Sequence, residues 1–154
     1  MKKEVRLYNV MFPIWFFFIW PTPLWLIILP VNFAVDSLVL WFAARKKQIQ
    51  EKLWKQSILK IWIIGFLSDL LGAGLIFALM MGIEAAGLGW DIFHFPGTTL
   101  LSLPGVLLAG LLIYWLNRRF SFRKSNLTTE EIRYLCLALA IFTAPYAMLI
   151  PLYG

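Results

Sequence analysis

Two carboxyls stand where a carboxyl is hard to keep. Asp36 lies in the run VNFAVDSLVL and Asp69 in GFLSDLLGAG, each deep inside a long apolar stretch. An acid at the centre of a membrane helix costs roughly 2.5–3.5 kcal/mol on insertion scales, so each calls for a partner or a task. Asp36 is nine residues before Arg45, and Asp69 is nine residues after Lys60. At a rise of about 1.5 Å per residue, both sit about 13 Å from the basic boundary of their helices. Helices adjacent in sequence usually pack against each other, so the two acids are expected to meet at one depth.

Their neighbours suit a polar site. Asn32 is one helical turn before Asp36 and shares its face. Gly65 and Gly72 flank Asp69 on its face, leaving room for an ion, a water or a partner backbone, and Gly105 is a third place for close helix approach. Ser37 and Ser68 adjoin the acids and add hydroxyls. No Lys, Arg or His lies deep in an apolar stretch, and Arg118 and Arg119 start at a boundary, too far out to reach. The acids are therefore expected to be protonated, bonded to neutral donors, hydrated, or holding a cation. Two carboxyls crowded in a dry site favour keeping at least one proton at neutral pH.

Three uses fit such a pair. It can be an interhelical hydrogen-bonding device that fixes packing in a non-catalytic subunit of a larger complex. It can be a proton or cation site of a transport component. It can also be a pair that shares one proton and activates water, as in an intramembrane aspartyl hydrolase. The chain's size and span count resemble lipoprotein signal peptidases. The asparagine- and arginine-flanked aspartate motifs of that family are missing, as are the glycine-aspartate motifs of presenilin-like proteases. The leading expectation is a proton- or cation-linked transport component, the alternative is a non-catalytic subunit that anchors or stabilises a larger complex, and the hydrolase reading ranks third.

The elements that must hold these residues are apolar. Of 154 residues, 61% are hydrophobic and only 14% charged, with a mean hydropathy of +0.78. A soluble domain carries about 25% charged residues, and a chain this small could not hide so much apolar surface from water. Lipid must be the solvent. Five apolar stretches cover about 7–20, 24–44, 58–83, 98–116 and 132–152. The last four reach the roughly 20 residues that a spanning helix needs, and the first does not. The expected fold is all-α: one membrane domain of four transmembrane helices plus an N-terminal hydrophobic helix, short-spanning or re-entrant. Thr128 and Glu131 fit a capping box at the start of the last helix. Pro30, Pro104 and Pro145 lie inside apolar stretches, where each removes a helical hydrogen bond.

Charge placement sets the expected topology. The loops RKKQIQEKLWKQ and RRFSFRKSNLTTEEIR fall on one side, which the Lys/Arg bias makes cytoplasmic. If stretch 7–20 pairs with the next as a hairpin, Lys2, Lys3 and Arg6 join them and all 14 basic residues share that side. This puts the N-terminus inside, the C-terminus outside, and the protein in the cell membrane. No small-residue cleavage site follows stretch 7–20, so it is expected to be retained. The net charge of +6 and pI near 9.7 then reflect topology, and no nucleic-acid partner is expected. Beyond the bilayer, the expected partners are further copies of the chain or another membrane subunit.

Other chemistry is thin. The lone Cys136 lies in an apolar run and reads as a packing residue. Glu84, Asp91 and His94 are too few ligands for a metal. With one His, no Gly-rich phosphate loop and no Cys-based site, neither a cofactor nor a metal is expected. Two local resemblances exist. Leu116–Arg123 (LNRRFSFR) resembles a cytoplasmic segment of GtrA-like proteins, small four-helix proteins implicated in moving polyprenol-linked sugars, though it follows a later helix here. Asn32–Leu40 (NFAVDSLVL) is similar to the first-helix pattern of a sporulation protease whose soluble protease domain has no counterpart in this chain. Neither extends beyond its segment, and neither is adopted as an identification.

Overall fold

The computed structural model describes residues 23–45, 50–89 and 94–150. The expected N-terminal helix at 7–20, and Trp90, Asp91 and Phe93 of the connecting loop, lie outside the described residues. Within them the chain is all-α. Helix α1 spans Trp25–Ala44, α2 spans Gln50–Ala85, α3 spans Gly97–Leu116 and α4 spans Thr129–Phe142. A π-helical turn, Asn117–Ser121, extends α3, and a 3-10 turn, Tyr146–Leu149, follows α4. Four helical spans are long and apolar enough to cross a membrane, which makes this a multi-pass membrane-type fold.

Two boundaries differ from the sequence reading. Helix α2 starts at Gln50, eight residues before the apolar stretch begins, because Lys, Glu and Gln are good helix formers and nothing interrupts them. Its 36 residues make a rod of about 54 Å, longer than a hydrocarbon core of about 30 Å, so one end stands clear of it. The last span does not continue as a single helix. Pro145 has no N–H, so the Ile141 carbonyl loses its helical donor, and the Tyr146 hydroxyl donates to it instead at 2.7 Å. Pro30 and Pro104, in contrast, are carried inside continuous helices. The start of α4 matches its signature. Thr128 Oγ1 accepts from the Glu131 N–H, and a Glu131 carboxylate oxygen accepts from the Thr128 N–H at 2.9 Å.

The helices close a ring in which α1 packs on α2, α2 on α3, α3 on α4, and α4 back on α1. The most extensive contact is α2 with α3. It exists because Gly72 and Gly105 face each other: a Cβ on Gly72 would lie 2.6 Å from the Gly105 carbonyl oxygen, and one on Gly105 would strike Ile76. Gly74 has open space beside it and plays no part in the approach.

Apolar packing collects in two clusters. One, towards the end that carries the basic loops, holds Leu40, Ile61, Ile113, Phe122 and Leu139. The other holds Ala73, Ile76, Leu101, Val106 and Met148. Edge-to-face rings bind α1 to α2, with Phe33 against Trp54 and Trp62, and Trp25 against Phe66 at 5.2 Å.

Candidate functional site

Between the two apolar clusters lies a small polar pocket. Asn32, Val35 and Asp36 of α1, Gly65, Phe66 and Asp69 of α2, and Thr143 at the end of α4 line it. Asp36 is one turn from Leu40 in the first cluster, and Asp69 is one turn from Ala73 in the second. The two helices thus bring both acids to one place, at the junction between the clusters. The cavity measures about 20 Å³, room for roughly one water or one small cation.

Each lining residue has a physical reason to be there. Gly65 lets the Asp36 carboxyl lie on the α2 backbone, since a Cβ there would stand 3.2 Å from Oδ2. Phe66 is held by Trp25 and forms an apolar wall. Thr143 is the C-cap of α4, and its hydroxyl donates to the Leu139 carbonyl at 2.8 Å. Thr143 also lies beside the Asp36 carboxyl in the pocket lining.

Both acids are almost fully buried, Asp36 at 4% and Asp69 at 5% exposure. Asp69 Oδ1 has no hydrogen-bond partner at all. No salt bridge among the described residues involves either acid; the ion pair present there, Lys55 to Glu51, is exposed and distant in sequence. A buried carboxylate without a partner carries a desolvation cost of several kcal/mol. A shared proton, a water, or a bound cation would remove it.

Of the residues singled out from sequence, Asp36, Asp69, Asn32 and Gly65 line this pocket. Ser37 and Ser68 do not. Ser68 Oγ donates to the Ile64 carbonyl of its own helix at 2.7 Å, and Ser37 Oγ is buried, unpartnered and outside the lining. Gly72 and Gly105 serve the α2–α3 contact instead. Thr143 and Phe66 were not singled out. The signal for Thr143 was present, as a hydroxyl two residues before a proline in an apolar run, where a helix end would expose it.

A second buried polar group sits near the basic end. Ser57 Oγ donates to the Ser121 carbonyl at 3.2 Å, Ser121 Oγ donates to Asn117 Oδ1 at 2.6 Å, and Asn117 Nδ2 donates to the Ile113 carbonyl at 2.8 Å. Asn117 is 0% exposed, while Arg118, Arg119 and Phe120 of the same turn point outward. This turn therefore joins α2 to α3 from inside. Among the described residues no group of three or more His, Cys, Asp or Glu side chains converges as a metal site would require. No protein-family model, curated protein or solved structure matches the chain.

Proposed function

We propose that this protein is a small membrane transport component that binds and passes a proton or a small cation at the Asp36–Asp69 pocket. The observation that carries the reading is the partnerless, buried Asp69 Oδ1 beside a second buried acid, in a cavity with room for about one water. Ionisable groups kept inside a membrane bundle at such cost are most often part of an ion or proton path. The interrupted fourth span supports it. Thr143 belongs to the break between α4 and the 3-10 turn, and broken helices at mid-depth are where transport proteins expose polar backbone and admit motion. A proton shared between the carboxyls would be released when the break opens the pocket to water on one side, and regained from the other.

A proteoliposome assay tests this. A pH gradient, then a sodium or potassium gradient, is imposed on vesicles holding wild type, Asp36→Asn, Asp69→Asn, or Ser57→Ala. Flux of at least one ion in wild type and Ser57→Ala, lost in both Asn variants, is expected. Equal flux in all four, or none for any of these ions in wild type, would overturn the reading.

A second reading, a non-catalytic subunit of a larger membrane complex, draws on α1. Its apolar window is 11% buried, against 33% for each of the other three spans, and Leu26 is 78% exposed. That face suits a second copy or a partner helix as well as lipid. Purification in mild detergent separates the two: a homo-oligomer favours transport, and a stoichiometric foreign subunit favours the alternative. The hydrolase reading is weaker, because a scissile bond would have to fit beside a water in a pocket with room for the water alone.

A further inference from the structure

At the basic end of the bundle, away from the acid pocket, lies a larger cavity of about 190 Å³. Lys52, Leu53 and Gln56 of α2 line one side, and Lys124, Ser125, Asn126 and Leu127 of the connection between α3 and α4 line the other. No carboxylate is among them. Lys55, one turn away, is neutralised by Glu51 at 2.6 Å, whereas neither Lys52 nor Lys124 has an ion pair among the described residues. Two cations and two amide side chains thus border one hollow, a set of donors suited to an anion. The other lining is apolar: Leu53 belongs to the buried cluster and Leu127 packs against it. The α2 lining runs from Lys52 to Gln56, about 9 to 3 Å before Ile58, where the apolar stretch begins. That is headgroup level.

We propose that this cavity is a binding site for the phosphate of an anionic phospholipid, with Lys52 and Lys124 as its charged ligands and the apolar stretch that begins at Ile58 leading from it towards the acyl chains. Basic hollows at the ends of membrane spans hold lipid headgroups by this combination of charge and adjoining apolar surface. The proposal does not depend on the role of the acid pair.

Thermal unfolding in nanodiscs tests it, with phosphatidylcholine alone, with phosphatidylglycerol added, and with inorganic phosphate in the buffer. The variants are Lys52→Gln/Lys124→Gln and a control that removes the same charge elsewhere, Lys60→Gln/Arg119→Gln. Wild type and the control are expected to unfold at higher temperature with phosphatidylglycerol, and the Lys52/Lys124 variant to lose that gain. Native mass spectrometry should show its retention of the anionic lipid falling about tenfold. A gain from inorganic phosphate alone that disappears in the same variant would keep the phosphate site but overturn the lipid as its source. An equal loss in both double variants, or no gain with any probe, would overturn the site itself.

Discussion

Two buried polar clusters in this molecule are built on opposite plans. Near the basic end, Ser57, Asn117 and Ser121 pass hydrogen bonds from one helix to the next until each hydroxyl and amide proton named has an acceptor. Mid-bundle, two acids face a pocket in which one carboxylate oxygen has none. The first cluster is closed and neutral, so its worth is mechanical: it ties α2 to the turn that ends α3. The second is open, and nothing in its own residues completes it. A fold gains stability from satisfied polar groups and loses it from orphaned ones. The contrast therefore separates a packing device from a site that expects an occupant.

The largest effect should come from breaking what both clusters rest on, the α2–α3 approach. Gly72→Leu or Gly105→Leu places a side chain where a Cβ already meets backbone. Overpacking of this kind costs about 3 kcal/mol or more when neither side can yield. Thermal unfolding in detergent should show a large drop for each. An unchanged transition in both would mean that these glycines do not face one another. Next in size is Asn117→Leu, which leaves the buried Ser121 hydroxyl without its acceptor and should cost about 2 kcal/mol. Ser57→Ala removes only one end of the chain of bonds and should cost about 1 kcal/mol or less. If Asn117→Leu were as harmless as Ser57→Ala, the closed cluster would not be the tie described.

How much of this could be read beforehand follows from the kind of interaction. The four spans, their all-α class, the Thr128–Glu131 cap and the acids' shared depth came from composition, local spacing and helix geometry, which the sequence states directly. The break at Thr143 was only half legible. A proline in an apolar stretch signals a lost hydrogen bond, but whether the helix continues, as at Pro30, or ends, as at Pro145, depends on what replaces that bond. Here it is the Tyr146 hydroxyl. The placement of Ser37 and Ser68 was not legible, because being next to an acid in sequence turns a side chain by about 100° around the helix and away from it. Thr143 was missed for the converse reason: its partner, Asp36, is more than a hundred residues earlier. The proline after Thr143 marks a helix end, but nothing in either segment marks which residue it meets.

The smallest effect on stability is expected at the acids themselves, and it is the most telling. Asn has nearly the shape of Asp, carries no charge, and costs less to hold in the membrane, so Asp36→Asn and Asp69→Asn should unfold no earlier than wild type, and Asp69→Asn could unfold later. A closed cluster would respond in the opposite way, as the Asn117 variant should. The protonation state supplies a second, independent readout. If the pair shares a proton, difference infrared spectroscopy of wild type should show a protonated carboxyl C=O band at neutral pH. Removing either acid should shift or abolish the band of the other, because the proton belongs to the pair. Thr143→Val, which removes an oxygen beside the Asp36 carboxyl, should likewise shift the band of the pair. Two carboxyls that titrate independently, together with a marked loss of stability in either Asn variant, would make the mid-bundle cluster a second packing device and remove its claim to be a site.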